Sequence, residues 1–193
     1  MKFELKADFQ SYWHIGTGRG SGQNLDALVE KDDAGLPYVS GKTLKGLFRD
    51  AVYKLDQWQK KDLTDSLFGK RTEDESRDET QAGILRFNNL ELAEKAYLKL
   101  KKNNSYIPHL FKTHASTTID FDTGTAKEKS LRMIEVVVPM QLTSHISILP
   151  GLVETALSDQ EVFAILQNAA SLITHIGANK NRGFGRVNLE VSQ

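Results

Sequence analysis

Residues Lys2–Phe9 alternate strictly, with Phe3, Leu5, Ala7 and Phe9 on one side and Lys2, Glu4, Lys6 and Asp8 on the other. A period of two predicts a half-buried strand with one wet face. Glycines at 16, 18, 20 and 22 follow, a spacing that no regular element tolerates, so this stretch reads as a loop. The period then changes. Leu44, Leu47, Phe48, Ala51, Val52 and Leu55 form one apolar stripe, predicting a helix over about Lys42–Trp58 with Ser40 as its N-cap. A short helix is expected over Lys61–Phe68, a mobile charged loop over Gly69–Ala82 (69–82), and a strand over Ile84–Leu92. Glu94–Lys102 reads as a basic helix, and Asn103–Lys129, holding Pro108 and Gly124, reads as irregular. Met133–Leu149 returns to strand character. Asp159–Ile176 is the most apolar helix, with Gly177 as its expected terminator, and Arg186–Val191 closes the chain with a last alternating strand.

The order strand, helix, strand, insertion, strand, helix, strand predicts an α+β fold. It is the βαββαβ arrangement of a ferredoxin-like or RRM-like domain, an antiparallel sheet with both helices on one face. A length of 193 residues fits a single domain over 1–193.

Composition narrows the function classes. Hydrophobic residues are 39% and charged residues 26%, which excludes disordered and fibrous classes. The absence of cysteine excludes disulfide frameworks and thiolate metal sites. The apolar stretches are too short to cross a bilayer, and the first residues lack an apolar signal core, so no membrane partner and a cytoplasmic location are expected. Lys+Arg and Asp+Glu both number 25, so any polyanion must be held by local clusters of cations.

Several motifs fail on spacing. Gly41-Lys42-Thr43 lacks the glycine that a phosphate-binding P-loop needs five positions earlier, where Leu36 stands. The early glycines do not satisfy G-x-G-x-x-G. Asp120-Phe121-Asp122-Thr123-Gly124 opens like a calcium loop, but its glycine is one residue early and Leu131 stands where the closing glutamate belongs. The five histidines have no metal-ligand spacing.

Two features carry chemistry. Lys42, Lys45 and Arg49 are spaced three and four apart, so they share one face of the first helix. The stretch Gly177-Ala178-Asn179-Lys180-Asn181-Arg182-Gly183-Phe184-Gly185-Arg186 interleaves cations with glycines and one aromatic ring. Gly177, Gly183 and Gly185 let backbone N–H groups face a phosphate. Asn179, Lys180, Asn181 and Arg182 are placed to hold it, and Phe184 is expected to stack on a base. On a βαββαβ scaffold the pair points to single-stranded RNA.

At these residues the chain resembles the RAMP superfamily of CRISPR-associated proteins, and within it the Cas7-type (Csm3- and Cmr4-like) backbone subunits of type III effector complexes. His14-Ile15-Gly16-Thr17-Gly18 resembles the family's opening glycine loop. Gly35-Leu36-Pro37-Tyr38-Val39-Ser40-Gly41-Lys42-Thr43-Leu44-Lys45-Gly46 is similar to its "G-L-P-Y-I-P-G-S-S-L-K-G" helix entry, with Lys42 adding a cation. Leu67-Phe68-Gly69 and Gly83-Ile84-Leu85-Arg86-Phe87 resemble its Leu-Phe-Gly and Gly-x-Leu-x-Phe pair. Thr118-Ile119-Asp120, Thr123-Gly124-Thr125-Ala126 and Glu135-Val136-Val137 resemble its inserted thumb hairpin, and the terminal glycine-rich loop resembles the superfamily signature.

The resemblance implies a backbone subunit that binds guide (cr)RNA and target RNA beside other copies, paralogous RAMP subunits and further effector-complex subunits, in antiviral defence. It implies guide phosphates at Lys42, Lys45 and the Gly177–Gly185 loop, and an inserted thumb over about 103–132. It also carries a target-cleaving aspartate onto Asp26, with Mg2+ as a suspected cofactor and Glu30, Asp32 and Asp33 as candidate carboxylate partners. Asp26 as a structural loop cap, a purely architectural RAMP subunit, and a Cas6-like guide-processing ribonuclease using His14 as base stand as alternatives.

Overall fold

The computed structural model describes residues 1–18, 20, 25–59, 62–70, 82–149 and 157–193, so the predicted charged loop lies almost wholly outside the described residues. The strands are β1 (Lys2–Phe9), β2 (Leu85–Phe87), β3 (Phe111–Ser116), β4 (Arg132–Val137), β5 (Gln141–Ile148) and β6 (Val187–Ser192). The helices are α1 (Gly41–Gln59), α2 (Thr64–Phe68), α3 (Glu94–Lys102) and α4 (Asp159–Leu172). The architecture is mixed α/β. A four-stranded sheet runs β2-β5-β1-β6 with every pairing antiparallel, and a separate antiparallel pair joins β3 to β4.

The alternation in β1 sets the layers. Phe3 pairs with Ile146, Ala7 with Leu142 and Leu189, and Phe9 with Val187, so one face of the sheet is continuously apolar and buried. Helices α1 and α4 lie on that face. The α1 stripe Leu44, Phe48, Ala51 and Val52 and the α4 stripe Val162, Leu166, Ala169 and Ala170 are buried in the same core, and Phe163 of α4 stacks on Phe3 at 5.6 Å. Truncating Phe48, which is fully buried, to alanine removes contacts worth about 3–5 kcal/mol.

Local chemistry starts the helices where the sequence places the starts. Ser40 Oγ accepts from Thr43 N–H at 3.3 Å, and Ser158 and Glu161 form a full capping box on α4. Asp56 of α1 is buried yet satisfied, accepting from the Leu63 and Thr64 N–H groups at 3.0 and 2.8 Å and so tying α2 to α1.

Four expectations are corrected. Residues 103–129 are not wholly irregular: Phe111–Ser116 is strand β3, which hydrophobic patterning misses because its four central side chains are all exposed. The apolar run 133–149 is two strands in two different sheets, parted at Pro139, which has no N–H to give a ladder. Of 84–92 only Leu85–Phe87 is regular strand, while Leu90 and Glu91 make single bridges to Val39 and Thr143. Helix α4 stops at Leu172, not at Gly177: Ile173 turns extended to reach the core, and His175 bridges to Arg186.

Candidate nucleic-acid interface

The entry of α1 is pressed against β2. A Cβ at Gly41 would run into the Phe87 carbonyl, and the Gly41 N–H donates to Asn89 Oδ1 at 2.9 Å. This contact brings the predicted helix cations over the β2 edge. There a groove of roughly 660 Å3 is lined by Lys42, Lys45, Arg49, Lys70 and Arg86 above a floor that includes Phe68 and Phe87. Lys42 is exposed and Lys45 half-buried. Burial first, and then the neighbouring Arg49 charge, hold the Lys45 ammonium below the usual lysine range. Arg49 also reaches Asp65 at 3.3 Å, an exposed-side pair of little energetic weight. A half-buried ammonium beside a guanidinium favours an anion.

Charge spacing alone does not reveal Lys70 and Arg86 as groove residues. Their signal was present as position: each follows or sits inside a glycine-aromatic motif, Leu67-Phe68-Gly69 and Gly83-Ile84-Leu85-Arg86-Phe87. Gly83 is required there because a Cβ would strike the Phe68 and Gly69 backbone. The motifs hold two chain segments together, and the cations beside them share one groove as a result.

On the other side of Arg86 and Phe87 a second groove, of roughly 780 Å3, is lined by Asp33, Glu91, Glu94, Tyr97 and His145 among others. Its carboxylates repel phosphate, so of the two grooves the first suits a polyanion, with Arg86 at its border. The wet face of the large sheet presents Lys2, Glu4, Lys6, Asp8, Thr143, His145, Asn188 and Glu190. Its one ring is the His145 imidazole and it carries no Phe, Tyr or Trp, so these strands lack the multi-ring platform of RRM-style stacking.

The glycine-rich loop lies elsewhere. It leaves β6 at the Phe9–Val187 end of the sheet, whereas the cationic groove flanks β2 near Leu85 and Ile148, on the opposite edge and at the opposite end. No cavity among the described residues joins the two. Asn179 and Gly183 both adopt left-handed conformations around a single turn over Lys180–Arg182. Lys180, Asn181, Arg182 and Gly183 are exposed at its tip. The loop is stapled down by Ala178 N–H to the His14 carbonyl at 2.9 Å and Gly185 N–H to the Tyr12 carbonyl at 2.7 Å. Gly177, at φ 102, has to be glycine because a Cβ would meet the His14 carbonyl. Phe184 departs from its expected role. It is 8% exposed and meets His114 edge-on at 4.8 Å, so the ring anchors the loop to β3 instead of offering a stacking face.

Asp26 stands on a short extended segment docked along β4. Its N–H donates to the Met133 carbonyl at 2.8 Å, and its Oδ2 accepts from the Met133 N–H at 2.7 Å. The side chain is exposed. Two of its expected carboxylate partners are engaged elsewhere: Glu30 accepts from the Tyr38 hydroxyl at 2.7 Å, and Asp32 caps a turn by accepting from the Ala34 and Leu36 N–H groups. Asp33 lines the acidic groove. Among the described residues no group of three His, Asp or Glu side chains is arranged to hold an ion. Mg2+ is held at octahedral geometry by one or two carboxylates together with substrate phosphates. Asp26 would supply one such carboxylate through its Oδ1, with substrate phosphates and water as the other ligands. His14, the base of the Cas6-like alternative, is 5% exposed, with Nδ1 2.6 Å from the Glu135 carbonyl. It acts as an interior strut.

The segment 117–131, largely exposed, joins β3 to β4. At its tip Asp120 accepts from the Thr123 N–H and hydroxyl and then from the Asp122 N–H, which together hold its carboxyl below the usual range, and Phe121 is fully exposed. Among the described residues no helix is long and apolar enough to cross a membrane.

Comparison with known proteins places this geometry in context. A chain in the cryo-EM structure of the type III-B Cmr-beta bound to cognate target RNA is similar, with TM-score 0.72 and 14% identity over 99% of this chain and 97% of that one. A chain of the type III-B Cmr-beta apo state gives TM-score 0.68 and 12% identity over the same shares. At such identities the likeness establishes the fold. No curated protein matches the sequence. The family model of the RAMP superfamily matches residues 6–188, nearly the whole chain. This chain belongs to the RAMP superfamily.

Proposed function

We propose that this chain is a guide-RNA-binding backbone subunit of a type III CRISPR effector complex, acting beside other copies or paralogous RAMP subunits in the cytoplasm. The observation that carries this reading is the cationic groove at the α1 entry, built on a fold that covers 99% of this chain against a subunit of a type III-B assembly. The groove is lined by five cations, Lys42, Lys45, Arg49, Lys70 and Arg86. It therefore suits a sugar–phosphate backbone and leaves sequence to base pairing. The order β2-β5-β1-β6 under α1 and α4 is consistent with a ferredoxin-like core in which the segment from α3 to β4, including the thumb over about 103–132, is inserted.

The same reading assigns target RNA cleavage to Asp26. An RNA strand is cut when a ribose 2′-hydroxyl attacks its own 3′-phosphate in line, forming a 2′,3′-cyclic phosphate and expelling the 5′-oxygen of the next nucleotide. The enzyme's part is to hold that alignment and to take the hydroxyl proton. Asp26 Oδ2 is occupied by Met133, which leaves Oδ1 as the proton acceptor. Asp26→Asn in the guide-loaded complex tests this: cutting is lost and guide binding is retained. A second reading, an architectural subunit that does not cut, is favoured by the engagement of Asp26, Glu30 and Asp32 in structural hydrogen bonds. Regularly spaced target fragments that vanish with Asp26→Asn exclude it.

A further inference from the structure

Glu135 of β4 occupies the junction of three segments. Its Oε2 accepts from the Val29 N–H at 3.1 Å and its Oε1 pairs with Lys31 Nζ at 2.8 Å. Its N–H donates to the Ala27 carbonyl at 3.0 Å, and its own carbonyl lies 2.6 Å from His14 Nδ1. The carbonyl oxygen only accepts, so His14 must donate from Nδ1. His14 in turn accepts from Ala178 N–H through its carbonyl.

This arrangement is not what a continuing ladder gives. After Asp26 and Ala27 pair with β4, the next inward N–H, that of Val29, goes to a carboxylate instead of a main-chain carbonyl. The substitution frees the Glu135 carbonyl for His14, so one residue holds both the Asp26 segment and, through His14, the base of the glycine-rich loop. The carboxylate is 12% exposed and its charge is met by Lys31, whose ammonium also sits 4.0 Å from the centre of the Phe111 ring. Lys31 is thereby committed to the network and is not a free cation for the reacting phosphate. A charge-assisted bond in so shielded a place is stronger than a neutral one, and leaving its partners unmet is costly.

We infer that Glu135 is a positioning residue for target cleavage: without touching RNA, it fixes the Asp26 segment and the glycine-rich loop against the root of the thumb. The inference rests on the proposed cutting role of Asp26 for its kinetic consequence, and on geometry alone for its structural one.

The test therefore has two arms, run on the full chain. In the first, amide hydrogen exchange is followed in Glu135→Ala. The Asp26 and Val29 amides lose protection while β1 amides keep theirs. Glu135→Gln, which retains an acceptor for Val29 and loses the Lys31 ion pair, keeps Val29 protected. Unchanged protection in Glu135→Ala overturns the inference. In the second arm the guide-loaded complex cuts target. Glu135→Ala lowers kcat roughly tenfold to hundredfold, the scale of a misplacement by a fraction of an ångström to one ångström, with KM and guide affinity unchanged. Glu135→Gln recovers most of the rate, and Glu135→Ala adds no loss to Asp26→Ala. A wild-type kcat in Glu135→Ala, or a fall in guide affinity in place of kcat, overturns it. Should Glu135→Ala not fold, Glu135→Asp, whose shorter side chain draws the acceptor away from the Val29 N–H, takes its place in both arms with the same direction and smaller size. Undiminished cutting by Asp26→Ala sinks the cutting role of Asp26, and the exchange arm then decides the positioning claim by itself.

Discussion

Asp26 and Met133 exchange two hydrogen bonds, main chain to main chain at 2.8 Å and main chain to carboxylate at 2.7 Å, although 107 residues separate them. The candidate cutting group is thus fixed by the root of the thumb itself. Structural and chemical roles meet in one side chain, and an alanine substitution alone does not separate them. Asp26→Asn does. It keeps an oxygen for the Met133 N–H and removes the carboxylate, so the melting temperature stays at the wild-type value while target cutting is lost. Asp26→Ala loses both, at a stability cost of about 1 kcal/mol. Full cutting by the asparagine variant refutes the chemical role.

Lys45 is half-buried beside Arg49 and three residues from the exposed Lys42 in the groove lining. Lys45→Glu weakens RNA binding equally across sequences. Lys45→Met and Arg86→Met each lower the slope of log affinity against log salt by about 0.7, the contribution of one phosphate contact on a single strand. Because the lysine proton is held less tightly than usual, affinity falls with rising pH from a point below the ordinary lysine range, and Lys45→Met removes that fall. Fluorescence anisotropy over salt and pH series measures all three.

Tyr38 gives a pH signature independent of RNA. Its phenol is pushed up to about 12, first by donating to Glu30, then by burial and by the Glu30 charge. A raised folded value means that its stabilisation is complete below the ordinary tyrosine value of about 10 and is lost as pH rises through about 12. Of the 5 tyrosines, one therefore ionises late in an ultraviolet absorbance titration, and Tyr38→Phe abolishes that late step.

The glycine-rich loop separates conformation from packing. Gly183 is at φ 83 with open space around it, whereas Gly185, at φ 71, has the Ile176 carbonyl where a Cβ would go. Gly183→Ala costs about 1 kcal/mol from backbone strain alone and leaves the loop in place. Gly185→Ala displaces the loop and lowers the melting temperature far more. Phe184→Ala costs about 3 kcal/mol through lost packing, and Phe184→Leu, with no aromatic face, retains RNA binding.

The sequence made some of this legible and hid the rest for physical reasons. The β1 alternation, the α1 stripe and the Ser40 cap depend on periods and local bonds within a few residues, and each appears where it was predicted. β3 escaped because its exposed side chains carry no hydrophobic period. The division of 133–149 between two sheets escaped because periodicity shows strand character and not which partner a strand takes. Spacing identified Lys42, Lys45 and Arg49 as one face, but Lys70 and Arg86 join them only through tertiary contact at Gly41 and Gly83. Phe184 illustrates the converse limit. An aromatic among glycines and cations reads as a stacking ring until the fold shows His114 against it.

The most direct measurement is ultraviolet cross-linking of the guide-loaded complex followed by mass spectrometry of the attached peptides. The account predicts guide adducts on the peptides carrying Lys42–Arg49, Phe68–Lys70 and Leu85–Phe87, with further adducts on the glycine-rich loop. Adducts confined to the acidic groove around Asp33, Glu91 and Glu94, or to the wet face of the large sheet, contradict it.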